Sequence, residues 1–441
     1  MKLDIDGSEV EELFGFAEEG LESSEQLNCL QTLVKNNNND STISTESYQF
    51  FNIALKNIAD RLGYSSEQIK QVSLEDINRR TMSKSIALES IKTIAKDIWD
   101  KLVKILKTIK DKIIAFFKKL MEYISGTKKK AEENKKQKID DNAPIFKEKT
   151  EHVDHGTITI PTNYKTFDHS VNMPNRPYVG PTDFNKIQDR IEASLMGINR
   201  NKIETLILMV AYKQNRKVSI LKGSDVLSVI ESCISLAHFL NSIIPPYLEF
   251  IQKEHQNEKD YYAGNVAIKE LIKSKVPSDF NILNIGKHHS VFGTGFGIKI
   301  TIDTNEGFDW GLDNLGYTFS ISDEFEYSHG SINDLKAEIC DNSMKDKISE
   351  GVVNASFMIL DNSLITPMIS KTIDHLRNKI KSLISQDKED VSGQVQIIRA
   401  KVRGLSSVSS GLNLSMRRIE RILTNANYYN TISIDLAKIQ I

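Results

Sequence analysis

From Ala87 to Ile124, apolar side chains fall at Ala87, Ile91, Ile94, Ile98, Leu102, Ile105, Ile109, Ile113, Phe116, Leu120 and Ile124, in steps of 4 and 3 that repeat every eleven residues. Eleven residues in three turns is about 3.67 per turn, so the stripe stays on one face of a nearly straight helix for roughly 60 Å. Ala95, Trp99, Val103, Leu106, Phe117 and Met121 widen it beyond a narrow coiled-coil seam, which predicts packing against more than one partner element. The opposite face is lysine: residues 84–138 hold 16 lysines against 7 acidic residues. Three settings suit such a helix. It is a core helix with a solvated charged face, it lies along DNA phosphates, or it rests on an anionic bilayer through its apolar face. The lysines placed to meet phosphate are Lys101, Lys104, Lys107, Lys112, Lys118 and Lys119.

The rest of the chain divides by texture. Residues 1–89 carry 8 Lys/Arg against 16 Asp/Glu, a net of -8, so the remaining residues sum to +6 within a total of -2. The first 40 or so, ending in the run Asn36–Asn39, are expected to form a flexible acidic arm, followed by short helices over 44–80. The basic helix occupies 90–140. Five of the nine prolines fall between Asn142 and Pro181, interleaved with Thr157-Ile158-Thr159-Ile160, which predicts an extended linker over 141–182. Residues 183–441 then read as an α-rich domain. Its helical runs include 226–240, which ends near Pro245-Pro246, then 335–386 and 394–426, while alternation around Ile298-Lys299-Ile300-Thr301-Ile302 and Tyr317–Ile321 predicts a β-hairpin or small sheet at about 286–328. The fold class is mainly α with a small β element (α+β).

Few residues suggest chemistry. Cys29, Cys233 and Cys340 are sparse and lack CxxC spacing, so neither a disulfide framework nor a thiolate metal site is expected. Gly293-Thr294-Gly295-Phe296-Gly297 is followed by a strand pattern, not by the helix whose N-terminus would hold a pyrophosphate. His152, Asp154 and His155, and the pair His288 and His289, supply too few ligands for zinc on their own. Asp309, Asp313, Asp323 and Glu324 crowd turns of the β region, where carboxylates commonly shape the backbone. No catalytic residue, cofactor or metal is expected, and the chain is read as a non-enzyme. The start MKLDIDGSEVEELFGF lacks a basic region followed by an apolar core, and no run of eighteen uninterrupted apolar residues is present, so neither a secretory signal nor a membrane span is expected.

Glutamates supply the last signal. Eight of the eleven within residues 1–89 sit two positions after Ser, Ala or Gly (Glu9, Glu19, Glu22, Glu25, Glu46, Glu67, Glu75 and Glu89), against two of nineteen downstream, Glu133 and Glu324. A small residue, any residue, then glutamate resembles the recognition triplet of the prohead proteases of large tailed phages. Together with GLESSEQL, IALESIK and IAKDIWDKLVKILKTIKDKIIAFFKKL, the triplets make roughly the first 130 residues similar to the internal head or inner-body virion proteins of giant phiKZ-like and related myophages. The resemblance implies a propeptide cut by the prohead protease; the last upstream triplet and the composition switch beside it place the main cut at Ala87-Leu88-Glu89/Ser90, with Glu22 and Glu75 as secondary candidates. It also implies a mature protein in the head interior, beside other head or inner-body proteins, and the sparse cysteines fit synthesis in the reducing host cytoplasm. Packaged DNA, bound without sequence preference, is a further expected partner, and a membrane is the weakest. Loss of the acidic segment would leave a basic product in a compartment filled with DNA.

Overall fold

The computed structural model describes residues 7–36, 42–43, 53–54, 56–58, 82–139, 157–160, 197–214, 218, 220–285, 289–303, 319–323, 335–360, 365–385 and 392–438. Among these the protein is mainly helical with small sheets. Helix α1 spans Gly7–Lys35 and departs from the expected flexible arm. Phe14, Ala17, Leu21, Leu27, Leu30 and Val34 form a narrow buried stripe along it. Composition averages over a helix surface, so seven glutamates hide that stripe. Each large apolar side chain fully buried there contributes about 1.5–3 kcal/mol toward the ordering cost.

Strands β1 (Thr42–Ile43) and β2 (Met82–Ser83) pair antiparallel, and helix α2 (Lys84–Lys136) follows at once. At 53 residues it is about 80 Å long. Ile91, Ile98, Leu102, Ile109, Ile113, Phe116, Leu120 and Ile124 of the eleven-residue stripe are buried, and Ile94 and Ile105 partly so. The expected boundary between residues 89 and 90 therefore lies inside a continuous helix. After β3 (Thr157–Ile160) come α3 (Arg200–Gln214), β4 (Ile220–Leu221), α4 (Gly223–Gln252) and α5 (Glu258–Lys275). Strands β5 (Asn281–Ile285), β6 (His289–Gly293), β7 (Ile298–Asp303), β8 (Phe319–Asp323) and β9 (Leu335–Glu338) precede α6 (Asn342–Leu360), α7 (Ile365–Ser385) and α8 (Ser392–Ala437).

Strands β5 to β8 form an antiparallel meander that buries Ile298, Ile300, Ile302 and Phe319 on one face. That face packs on α8, where Ser407 Oγ donates to the Phe319 carbonyl at 2.6 Å. The glycine-rich run Gly293–Gly297 closes the β6–β7 hairpin. Gly295 and Gly297 take φ of 78° and 86°, and the Thr294 amide donates to the Ile298 carbonyl at 3.0 Å. Part of the expected linker is also sheet: β3 pairs antiparallel with β9, which pairs parallel with β4 on its other side. Residues 335–338, expected to be helical, are this central strand.

Two helices outrun their sequence limits. α4 continues through Pro245 and Pro246 to Gln252, although each proline removes an amide donor and crowds the carbonyl four residues back. Ile243, Ile244, Tyr247, Leu248 and Ile251 are all buried around that point, and their packing carries the helix past the break. α4 is also long and apolar enough to cross a membrane by length and composition, but here it is a core helix against α6, α7 and α8. α8 runs eleven residues past Ala426 and packs against α1, α2, α4 and α6. Helix α2 is held by α1, α6, α7 and α8, so the stripe meets four partners.

Candidate functional site

The expected processing segment lies in the first two turns of α2. Leu88 is half-buried, Glu89 is exposed, and Thr93 Oγ1 donates to the Glu89 carbonyl at 3.0 Å. An endoprotease reads an extended chain, so these turns must unwind before the bond after Glu89 is reached. Helix ends open at low cost, and only residues 84–89 precede that bond in the helix. The residue that would begin the shortened helix is Ser90, a favoured N-cap type. Glu22 sits on α1, and Glu75 lies outside the described residues.

The lysines of α2 separate into two sets. Lys101, Lys104, Lys107, Lys118 and Lys119 are exposed on the side turned from the core. Lys112 is half-exposed and pairs with Glu9 of α1. Others tie the helix to its neighbours: Lys110 pairs with Asp374 of α7, Lys135 Nζ meets Glu350 Oε1 of α6 at 2.6 Å, and Lys128 Nζ lies 3.5 Å from the ring centroid of Phe357.

A second charged contact escapes sequence reasoning. Arg399 and Arg403, one turn apart on α8, face the acidic side of α1. Arg399 Nη1 lies 3.2 Å from Glu25 Oε2 and its Nη2 lies 3.6 Å from Glu22 Oε2, while Arg403 Nε donates to Glu18 Oε2 at 3.0 Å. Glu18, Glu22 and Glu25 are spaced i, i+4, i+7, which sets the three carboxylates along one face. With Glu9 on Lys112 and Gly20 beside Leu102, these contacts run α1 antiparallel to both α2 and α8. A groove of about 780 Å³ lies alongside, lined by Cys29, Leu30, Leu33, Ile53, Ile58 and the two arginines. The matching i, i+4 spacing of acids and bases is the signal that points to this pairing, but nothing local says that residues nearly 400 positions apart meet.

Residues 5–167 match the phiKZ-like phage internal head proteins. The matched part spans α1, α2 and β3, thus every triplet upstream of Ser90 and the whole lysine-faced helix, while residues 168–441 lie outside it. No curated protein and no solved structure matches the chain. A place inside the virion head goes with the internal head family.

Among the described residues, no group of three or more His, Cys, Asp or Glu is placed to hold a metal ion. His152, Asp154, His155, His288, Asp309, Asp313 and Glu324 lie outside the described residues, and Asp323 accepts from Arg418 Nη2 at 2.5 Å, fixing β8 to α8. Burial pushes the Cys340 thiol up to about 12 and raises that of Cys233 further, so neither is a nucleophile at neutral pH. Where α4, α7 and α8 meet, Lys401 Nζ donates to the Lys253 carbonyl at 2.7 Å, and burial lowers it to about 8. His255 and His375 beside it are held below their ordinary value by burial first and by the Lys401 charge second.

Proposed function

We propose that this chain is a non-enzymatic structural protein of the phage head interior, made as a precursor and cut after a small-x-Glu triplet as the capsid matures, chiefly between Glu89 and Ser90. The observation that carries this reading is the coincidence of the family match with the triplet-rich acidic segment and the basic helix. The structure adds a physical role for the acidic segment. α1 lays carboxylates on Lys112, Arg399 and Arg403, so while attached it offsets positive charge on the elements it covers. Its partners in this reading are the prohead protease, which would have to unwind the first turns of α2, and neighbouring head or inner-body proteins. Intact mass and N-terminal sequencing of the protein from mature particles test it. A mature start at Ser90 is expected; a start at Met1 overturns the precursor reading, and a start after Glu22 or Glu75 moves the boundary.

Contact with packaged DNA is a second reading, favoured by one observation: Lys101, Lys104, Lys107, Lys118 and Lys119 project from α2 away from the core. Such contacts would run to phosphate and tolerate any sequence. Replacing those five by Gln should weaken binding to duplex DNA and lower the slope of log affinity against log salt. An unchanged slope would remove this reading. In the membrane alternative α2 would first have to leave its neighbours, because its apolar stripe is buried against the core here.

A further inference from the structure

The seat of α1 contains everything that holds it. Phe14, Leu21, Leu27 and Leu30 are buried against the core, and at Gly20 the two helices approach so closely that a methyl group there would lie 2.9 Å from Leu102 Cδ2. Arg399 and Arg403 keep only 14% and 16% of their side chains exposed while meeting Glu18, Glu22 and Glu25. An apolar strip flanked by half-buried guanidiniums is chemistry for an acidic amphipathic helix. It suits a bare phosphate chain poorly, since that has no apolar face to offer.

We infer that α1 is retained by this seat and not by its covalent tether: once the chain is severed between Ile58 and Met82, α1 stays bound as a separate acidic helix. The inference rests on the precursor reading only for its setting in the head. There, a single cut after Glu89 yields a two-piece protein and does not by itself expose the seat. Release then requires cuts within α1, and four of the triplet glutamates, Glu9, Glu19, Glu22 and Glu25, lie along it. Glu22 and Glu25 are engaged by Arg399 and Glu9 by Lys112, so most of the residues a protease would read are also residues that fasten the helix. Seated α1 is thereby protected, and the order of events becomes severing first, unseating second, destruction last.

The test uses the full chain with the recognition sequence of a sequence-specific protease inserted after Gly63, cut in solution and passed over a sizing column at micromolar concentration. At about 50 mM salt the N-terminal piece should co-migrate with the remainder, and at about 1 M salt, where exposed charge is screened, it should separate more readily. Arg399→Gln with Arg403→Gln should weaken retention by about tenfold or more, the equivalent of about 1.4 kcal/mol. If that variant fails to fold, Glu18→Gln, Glu22→Gln and Glu25→Gln test the same contacts from the α1 side. Separation of the unsubstituted pieces at low salt overturns the inference, and unchanged retention in both variants overturns the role of the arginines. A virion protein that starts at Met1 would refute the precursor reading while leaving this result untouched.

Discussion

The ammonium of Lys345 donates to the main-chain carbonyl of Asn134 at 3.2 Å, so the first turn of α6 closes the last turn of α2. It also reaches the carbonyls of Lys135, at 3.2 Å, and of Gln137, and Asp346 Oδ1 lies 3.0 Å away. A positive charge at a helix C-terminus meets the negative end of the dipole, and Lys345 does so with only 1% of the residue exposed. Asn342 exchanges two hydrogen bonds with the main chain of Ile139 just beyond. Replacing Lys345 by Met should therefore cost about 2–4 kcal/mol, since several buried carbonyls lose their donor. Urea denaturation of the full chain measures it; a loss under about 0.5 kcal/mol, the range of ordinary surface changes, would show that water replaces the ammonium.

The buried stripe of α2 gives a graded prediction. Ile98 and Ile109 are at most 1% exposed, whereas Ile105 is only partly buried. Truncation to Ala should cost about 2–5 kcal/mol at the first two positions and clearly less at Ile105. Equal losses at all three would mean that α2 does not keep this rotation in solution.

Gly404, inside α8, reverses a common rule. Ala favours a helix interior over Gly by about 1 kcal/mol. Here a methyl group would come within 2.1 Å of Tyr247 Oη and 3.1 Å of its Cζ, and that tyrosine is buried in α4. Gly404→Ala should thus destabilise by about 1–3 kcal/mol as the two helices are forced apart. A raised midpoint in thermal unfolding would show that Tyr247 swings clear.

The knot around Lys401 makes stability depend on pH. His255 and His375 are kept neutral by burial and face Lys401 from α8, Lys379 and Glu254 from α7 and the end of α4, and Asp260 from α5. Their folded values lie below the ordinary 6.5, so the unfolded chain binds more protons there. Their contribution is present above about pH 6.5 and is lost as pH falls below it. The thermal midpoint should drop between about pH 7 and 5, and substituting both histidines by Gln should flatten that slope. An unaltered slope in the double variant would assign it to other groups.

How much of this was legible in the sequence follows from where the information sits. The period of α2 was readable because burial on one face imposes a repeat on consecutive residues. The strand alternation at Ile298, Ile300 and Ile302 was readable for the same reason. α1 was not, because its apolar stripe is narrow and its glutamates dominate any average, although those glutamates are what Arg399 and Arg403 require. The pairing of β3 with β9 joins positions some 180 residues apart, and the cap by Lys345 joins positions some 210 apart. Neither leaves a local trace. Pro245 and Pro246 misled because proline costs are intrinsic, while the packing that overrides them is tertiary.

The side of α2 that turns inward is met not only by α1 but also by α6, α7 and α8, and all three lie beyond residue 167. The long helix in the matched segment is therefore packed largely by residues outside that segment. A fragment ending at residue 167 would leave three of the four berths of that helix empty and its apolar stripe open to water. The eleven-residue period near the N-terminus thus dictates where helices some 200 to 300 residues later must lie.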